Sequence, residues 1–153
     1  MDITIIAVQS YLAAILGISG VAKALEPRTF AATLRRHRLL PPRTVVWASP
    51  LIAWGEILTA LFLVIGVLPV QTAALAALMF FCFLVVEAKL VASKSSEGCG
   101  CYGSAYRRQI DTSSLVVSAI LFVLACFNLW GVATLPSPRL FWRIIAICLY
   151  SMG

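Results

Sequence analysis

Charge is scarce in this chain. Asp and Glu total 6, Lys and Arg total 12, and charged residues fill 12% of the 153 positions. A soluble domain carries about twice that share. Too few polar side chains are present to clothe a water-facing surface, which excludes a soluble globular domain of this length. Histidine occurs once, as His37. A structural zinc site takes four ligands, and His37 with two neighbouring thiols supplies three at most, so no metal site is expected. No polar stretch is long enough to fold as a second domain, and no internal repeat or low-complexity tract is present. Residues 1–153 therefore read as a single membrane domain. The opening Met1-Asp2-Ile3-Thr4 has no basic n-region, and no small-residue cleavage site follows, so the first apolar run is expected to be kept as a signal anchor.

What fills the chain instead is hydrocarbon. Hydrophobic residues make up 61% of it and the mean hydropathy is +0.98. Four runs reach the roughly 20 apolar residues that cross a bilayer: residues 3–25, 45–68, 70–92 and 110–133. Between the first two, Arg35, Arg36, His37 and Arg38 alternate with Phe30, Leu34, Leu39 and Leu40, ahead of Pro41-Pro42. That mixture suits a short amphipathic helix lying on the membrane surface. The second and third runs meet at Val67-Leu68-Pro69-Val70, a tight turn that predicts a helical hairpin. The stretch Leu140 to Tyr150, after Pro136-Ser137-Pro138, is too short to span and is expected at the interface or re-entering from one side. The fold expected is an all-α integral membrane protein. It is a four-helix transmembrane bundle, with an amphipathic surface helix after the first span and a short apolar C-terminal segment. Trp47, Trp54, Trp130 and Trp142 are expected to mark the span ends.

The net charge of +6 would suggest nucleic acid in a soluble protein. Here the basic residues sit in short loops beside apolar runs, so anionic lipid and membrane topology account for them better, and no nucleic-acid partner is expected. Four spans put the first loop and the loop at 93–109 on one side of the membrane. Lys23, Arg28, Arg35, Arg36, Arg38, Arg43, Lys89, Lys94, Arg107 and Arg108 all belong to that side, against Arg139 and Arg143 on the other. The positive-inside rule then makes it the cytoplasmic side.

The sharpest local motif is Cys99-Gly100-Cys101, flanked by Gly98 and Gly103 in the 93–109 loop. Residues two apart have Cα atoms about 5.5–7 Å apart, within the reach of a disulfide. A ring so small is strained and therefore easily reduced, as an exchanging disulfide must be. Arg107 and Arg108 follow closely and favour the thiolate that attacks. The other reading of the same residues is two ordinary small side chains in a glycine-rich turn. Cys82, Cys126 and Cys148 read as plain apolar residues. Glu56 falls near the middle of the second span, where a charge is costly and must find a partner, a proton or the bundle interior. Lys23, near the end of the first span, either snorkels to the interface or reaches toward Glu56. A proton relay, a polar anchor for a quinone-like head group and a packing device between helices all fit that pair. Glu87 and Lys89 are expected at the interface. Ala13, Gly17 and Gly20 form a small-residue face suited to homodimerisation.

Taken in order, Gly20-Val21-Ala22-Lys23 with Pro27 and Phe30, Leu39-Leu40-Pro41, Pro50, Glu56, Gly66 and Cys99-Gly100-Cys101-Tyr102-Gly103 resemble the methylamine utilisation protein MauE and its DoxX-like relatives. The resemblance runs from the first span to the fourth. It implies a bacterial inner (plasma) membrane protein, multi-pass, with redox and maturation tasks. Cys99 and Cys101 would be the redox pair, and Lys23 and Glu56 part of a shared polar set. The implied partners are a thioredoxin-like protein and a disulfide-bearing client such as the small subunit of methylamine dehydrogenase. One departure is Asp111-Thr112-Ser113-Ser114, where many relatives carry a basic-Asn pair. The function expected is membrane-embedded thiol–disulfide exchange, in which a membrane quinone is the one cofactor suggested. A non-catalytic accessory or scaffold for a partner's maturation or export is the alternative. Disulfide formation belongs outside the cytoplasm, so chemistry and charge count point the Cys loop to opposite faces.

Overall fold

The computed structural model describes residues 3–36, 41–92 and 112–134. These form five helices and, among the described residues, no strand: α1 Ile3–Leu25, α2 Pro27–Arg36, α3 Pro42–Ile65, α4 Pro69–Ala92 and α5 Thr112–Thr134. Four of them, α1, α3, α4 and α5, are long and apolar enough to cross a membrane. The chain is a multi-pass helical membrane bundle. Residues 93–111, which bear Cys99, Cys101, Arg107 and Arg108, lie outside the described residues, as do His37 and the segment from 135 onward.

Proline sets where three of the helices begin. Pro27, Pro42 and Pro69 each open a helix, a position where the missing N–H would have no partner anyway. At α3 the Pro41 carbonyl accepts from the Thr44 and Val45 amides at 3.0 and 3.3 Å and from the Thr44 hydroxyl at 2.8 Å. Pro50 interrupts the ladder inside α3 without ending the helix. The other end of α3 closes at Gly66, whose left-handed φ of 74° turns its amide back onto Phe62 O at 2.9 Å. Leu68, at φ 46°, completes the reversal into α4. Thr72 ties the turn down, its amide bonding Leu68 O and its hydroxyl bonding Val67 O at 2.8 Å. The expected α3–α4 hairpin is therefore present, three residues earlier at the start of α3 than the hydropathy placed it.

The spanning helices close into a ring. α1 packs on α3 and α5, and α4 packs on α5 and α3, so α1 and α4 face each other across the centre. The core joins Leu12, Ala13, Leu16, Leu63, Phe80 and Leu121 with Ala60, Ala76, Ala77 and Ala125. Without water to drive helices together inside a bilayer, close van der Waals approach holds them, and small side chains permit it. Large residues such as Ile3, Ile18, Leu51, Val64 and Val123 point outward, where lipid covers them. Trp47 and Trp130 face outward near the ends of their helices. Trp54 also faces outward, but nearer the middle of α3 than the interfacial-belt expectation placed it.

The amphipathic helix sits on the loop-side end of α3. Phe30 and Leu34 of α2 are buried against Val45, with Ala31 and Ile52 alongside. Ser49 donates to the Pro27 carbonyl at 3.3 Å. Arg28 and Arg35 lie on the exposed side. The small-residue face on α1 is spent within the chain. Ala13 is part of the core, and Gly17 and Gly20 lie against Ala60 and Ala53 of α3, so this stripe is an intramolecular contact.

Candidate functional site

Lys23 and Glu56 lie together inside the bundle. The ammonium is 2.5 Å from Glu56 Oε1 and 2.7 Å from Oε2, and it donates to Ser19 Oγ at 2.7 Å. Those bonds use all three donors of a lysine. Lys23 is 2% exposed and Glu56 is fully buried. Ser19 also reaches the Glu56 carboxylate, which knits three polar side chains into one unit. Two aromatic faces complete the enclosure: the Nζ lies 4.7 Å from the Phe83 ring centroid and 5.5 Å from that of Phe30. Cation–π contacts of this kind strengthen when water is excluded.

The sequence left a mismatch of depth between these two residues, since Lys23 is near the end of its helix and Glu56 near the middle. Two local features remove it. A helical lysine points back toward its own N-terminus, and Lys23 bonds Ser19, one turn deeper. Gly20 then lets the two backbones meet. A Cβ at Gly20 would stand 2.8 Å from Ile57 Cγ1, 2.9 Å from the Ala53 carbonyl oxygen and 3.0 Å from Glu56 Cβ. Any side chain there would push α1 off α3 at the level of the ion pair. Lys23 therefore does not snorkel to the interface, and as a buried, paired charge it leaves the tally that orients the protein. Arg28, Arg35, Arg43 and Lys89, all exposed at the loop end, keep the asymmetry.

Glu87 is a second correction. It was expected at the interface, yet it is 3% exposed. Its Oε1 accepts from the Ser114 hydroxyl at 3.2 Å, and its Oε2 has no partner among the described residues. The signal for this burial was present in the spacing of Ala76, Phe80, Phe83, Glu87 and Leu90, which fall on one face of α4. Asn128 was missed altogether. It is fully buried with neither side-chain polar atom bonded among the described residues, and it extends the inward stripe of Leu121 and Ala125. Gln9 on α1 donates to the Leu63 carbonyl at 2.5 Å, leaving its own oxygen unbonded. Among the described residues, Cys82 and Cys126 are unpaired and exposed on the outer surface of the bundle.

The cysteine pair and its arginine neighbours fall outside the described residues, but the helices that flank them in the sequence do not. α4 and α5 pack along their length and are bridged by Ser114 and Glu87 next to the loop. The C-terminal end of α4 and the N-terminal end of α5 thus lie at one end of the bundle, the end where Lys23 sits in α1. No curated protein and no solved structure matches the chain. The family model of the methylamine utilisation protein MauE matches residues 1–131, which takes in every described helix up to the last turn of α5. The chain belongs to the MauE family.

Proposed function

We propose that this protein is a membrane-embedded component of thiol–disulfide exchange that acts through Cys99 and Cys101 in the maturation of a disulfide-bearing client. The observation that carries this reading is Cys99-Gly100-Cys101 itself, a strained exchanging pair by its spacing, in a chain of the MauE family. The family's name points to methylamine utilisation, and the small subunit of methylamine dehydrogenase is the client proposed.

The exchange balances within the pair and its partner. A client thiolate attacks one sulfur of the Cys99–Cys101 disulfide, forming a mixed disulfide and releasing the other loop cysteine as thiolate. The client's second thiolate then displaces the loop, leaving the client oxidised and the loop as a dithiol. Two electrons and two protons have moved to the loop, and a thioredoxin-like protein in its disulfide form takes them by the same two steps. A membrane quinone, were one held near Lys23 and Glu56, would supply an alternative two-electron acceptor. Arg107 and Arg108 would favour the thiolate forms. Lys23 and Glu56 would serve as a polar anchor or a proton station inside the bundle. The relative potentials of the partners set the direction.

A scaffold that only holds a client during maturation or export would use the bundle but not the thiols. Replacing both cysteines, with Cys99→Ser and Cys101→Ser together, separates the two. In the exchange reading the client accumulates with incomplete disulfides, as in cells lacking the protein, while the variant stays in the membrane at normal abundance. Full client oxidation by that variant would establish the scaffold reading instead. The readout is mass-tagging of client thiols on a gel.

A further inference from the structure

We propose that Glu87 is a second carboxylate station for the Lys23 ammonium, so that the buried cation has one partner deep in the bundle and another nearer the loop end. The inference goes beyond the thiol chemistry and does not depend on it. It starts from an imbalance: two carboxylates and one ammonium are buried in the loop-side half of the bundle. Glu56 takes two of the three lysine donors, whereas Glu87 is 3% exposed with one oxygen bonded to Ser114 and the other unpartnered among the described residues. A half-satisfied carboxylate in hydrocarbon is expensive, and intramembrane ionisable groups face a partner or a pathway.

The register brings the two together. Ile5 meets Gly131 where α1 and α5 cross antiparallel. Counting equally along both helices from that contact sets Lys23 level with Ser113, beside the Ser114 that bonds Glu87. The backbone of Lys23 is thus at the height of Glu87, and only its side chain is drawn about 6 Å deeper, by one helical turn, to Ser19 and Glu56. Phe83 connects the two positions. Its ring lies 4.7 Å from the ammonium, and Glu87 is the next residue on the same face of α4, one turn toward the loop. α1 and α4 face each other across the ring of helices, so no helix stands between. A rotamer change of Lys23 from its backward to its outward, snorkelling direction carries the ammonium past Phe83 toward the free oxygen of Glu87. Among the described residues, Arg28, Arg35, Arg43 and Lys89 at this end are exposed, and Glu26 is half-buried with a contact of its own.

The test is a contact measurement in the full chain reconstituted in lipid bilayers, with 15Nζ-lysine and 13Cδ-glutamate labels and dipolar-dephasing solid-state NMR. In the wild type the lysine–carboxyl contact is that of Lys23 with Glu56. In Glu56→Gln a lysine–carboxyl contact persists, now with Glu87, and in the Glu56→Gln, Glu87→Gln double variant it vanishes. Loss of the contact in Glu56→Gln alone overturns the proposal. So does its survival in the double variant, which would assign it to another pair. Should Glu56→Gln not fold, Glu56→Asp retains the charge and withdraws it by one methylene. A new dephasing component that Glu87→Gln removes then supports the second station, and its absence overturns it.

Discussion

Lys23→Met with Glu56 left in place is expected to destabilise the bundle by about 3–5 kcal/mol, because it strands a buried carboxylate. Both side chains are 1% exposed, so neither water nor counter-ions can take over the role of the partner. The cost comes from the unpaired charge rather than from the lost attraction, and this gives the prediction its sign test. Lys23→Met combined with Glu56→Leu removes both charges and fills similar space, and it should recover most of the loss. Surface ion pairs behave differently: removing one partner costs at most about 1 kcal/mol. Reversible unfolding of the purified protein in mixed micelles, compared across the four members of the cycle, checks this. If the single variant is as stable as the wild type, Glu56 has another way of being satisfied. If the apolar double variant is stable but no longer supports client maturation, the pair belongs to the function and not only to the packing.

The second large effect concerns the resolving cysteine. Cys101→Ser, or Cys99→Ser in the companion variant, leaves a single thiol that can enter a mixed disulfide but cannot be displaced by its neighbour. The exchange mechanism therefore predicts that one of the two variants accumulates a covalent adduct with its partner. The adduct should be seen as a high-mass band on a non-reducing gel, collapse on reduction, and be absent when both cysteines are serine. Escape is slow because resolution must come from an outside thiol rather than from one two residues away. Identifying the trapped protein by mass spectrometry would separate a thioredoxin-like partner from a client. If neither single variant forms an adduct, exchange through the loop is contradicted. Cys82 and Cys126 serve as internal controls, since both are exposed on the bundle's outer surface and neither is in a disulfide among the described residues.

Most of the architecture could be read in the sequence because a bilayer imposes one simple rule: backbone polar groups must be satisfied within the segment. Long apolar runs therefore had to be helices, and Pro41-Pro42, Gly66 and Pro69 marked their limits to within a few residues. The surface helix was legible from arginines alternating with Phe30 and Leu34. What hydropathy could not show was which way a polar side chain turns. Lys23 and Glu87 both lie close to helix ends, where the ordinary expectation is an interfacial charge, and both turn inward. For Lys23 the reason is Gly20, which brings α3 close enough for Glu56 to be reached. For Glu87 it is the inward stripe of α4, where Ser114 on α5 provides a donor. Asn128 escaped notice because a lone amide in an apolar run hardly changes a window average, although its spacing from Leu121 and Ala125 placed it on the core face. The glycines on α1 looked equally suited to a dimer, and only the packing of α3 against them decides how they are used.

The measurement that bears most directly on thiol exchange is the redox state of Cys99 and Cys101 in living cells. Acid quenching followed by a permeant alkylating reagent, before and after mild reduction, freezes it. Trypsin then releases both cysteines in one peptide, Ser95–Arg107, bounded by Lys94 and Arg107. The expected result is a substantial fraction of that peptide resistant to alkylation until reduction, with the fraction falling when the partner's oxidising supply is withdrawn. A membrane-impermeant reagent applied to the same cells reports which face the pair occupies, deciding between the charge count and the oxidising compartment. Two thiols that alkylate fully before reduction under every condition would contradict exchange through this loop and leave the protein a scaffold.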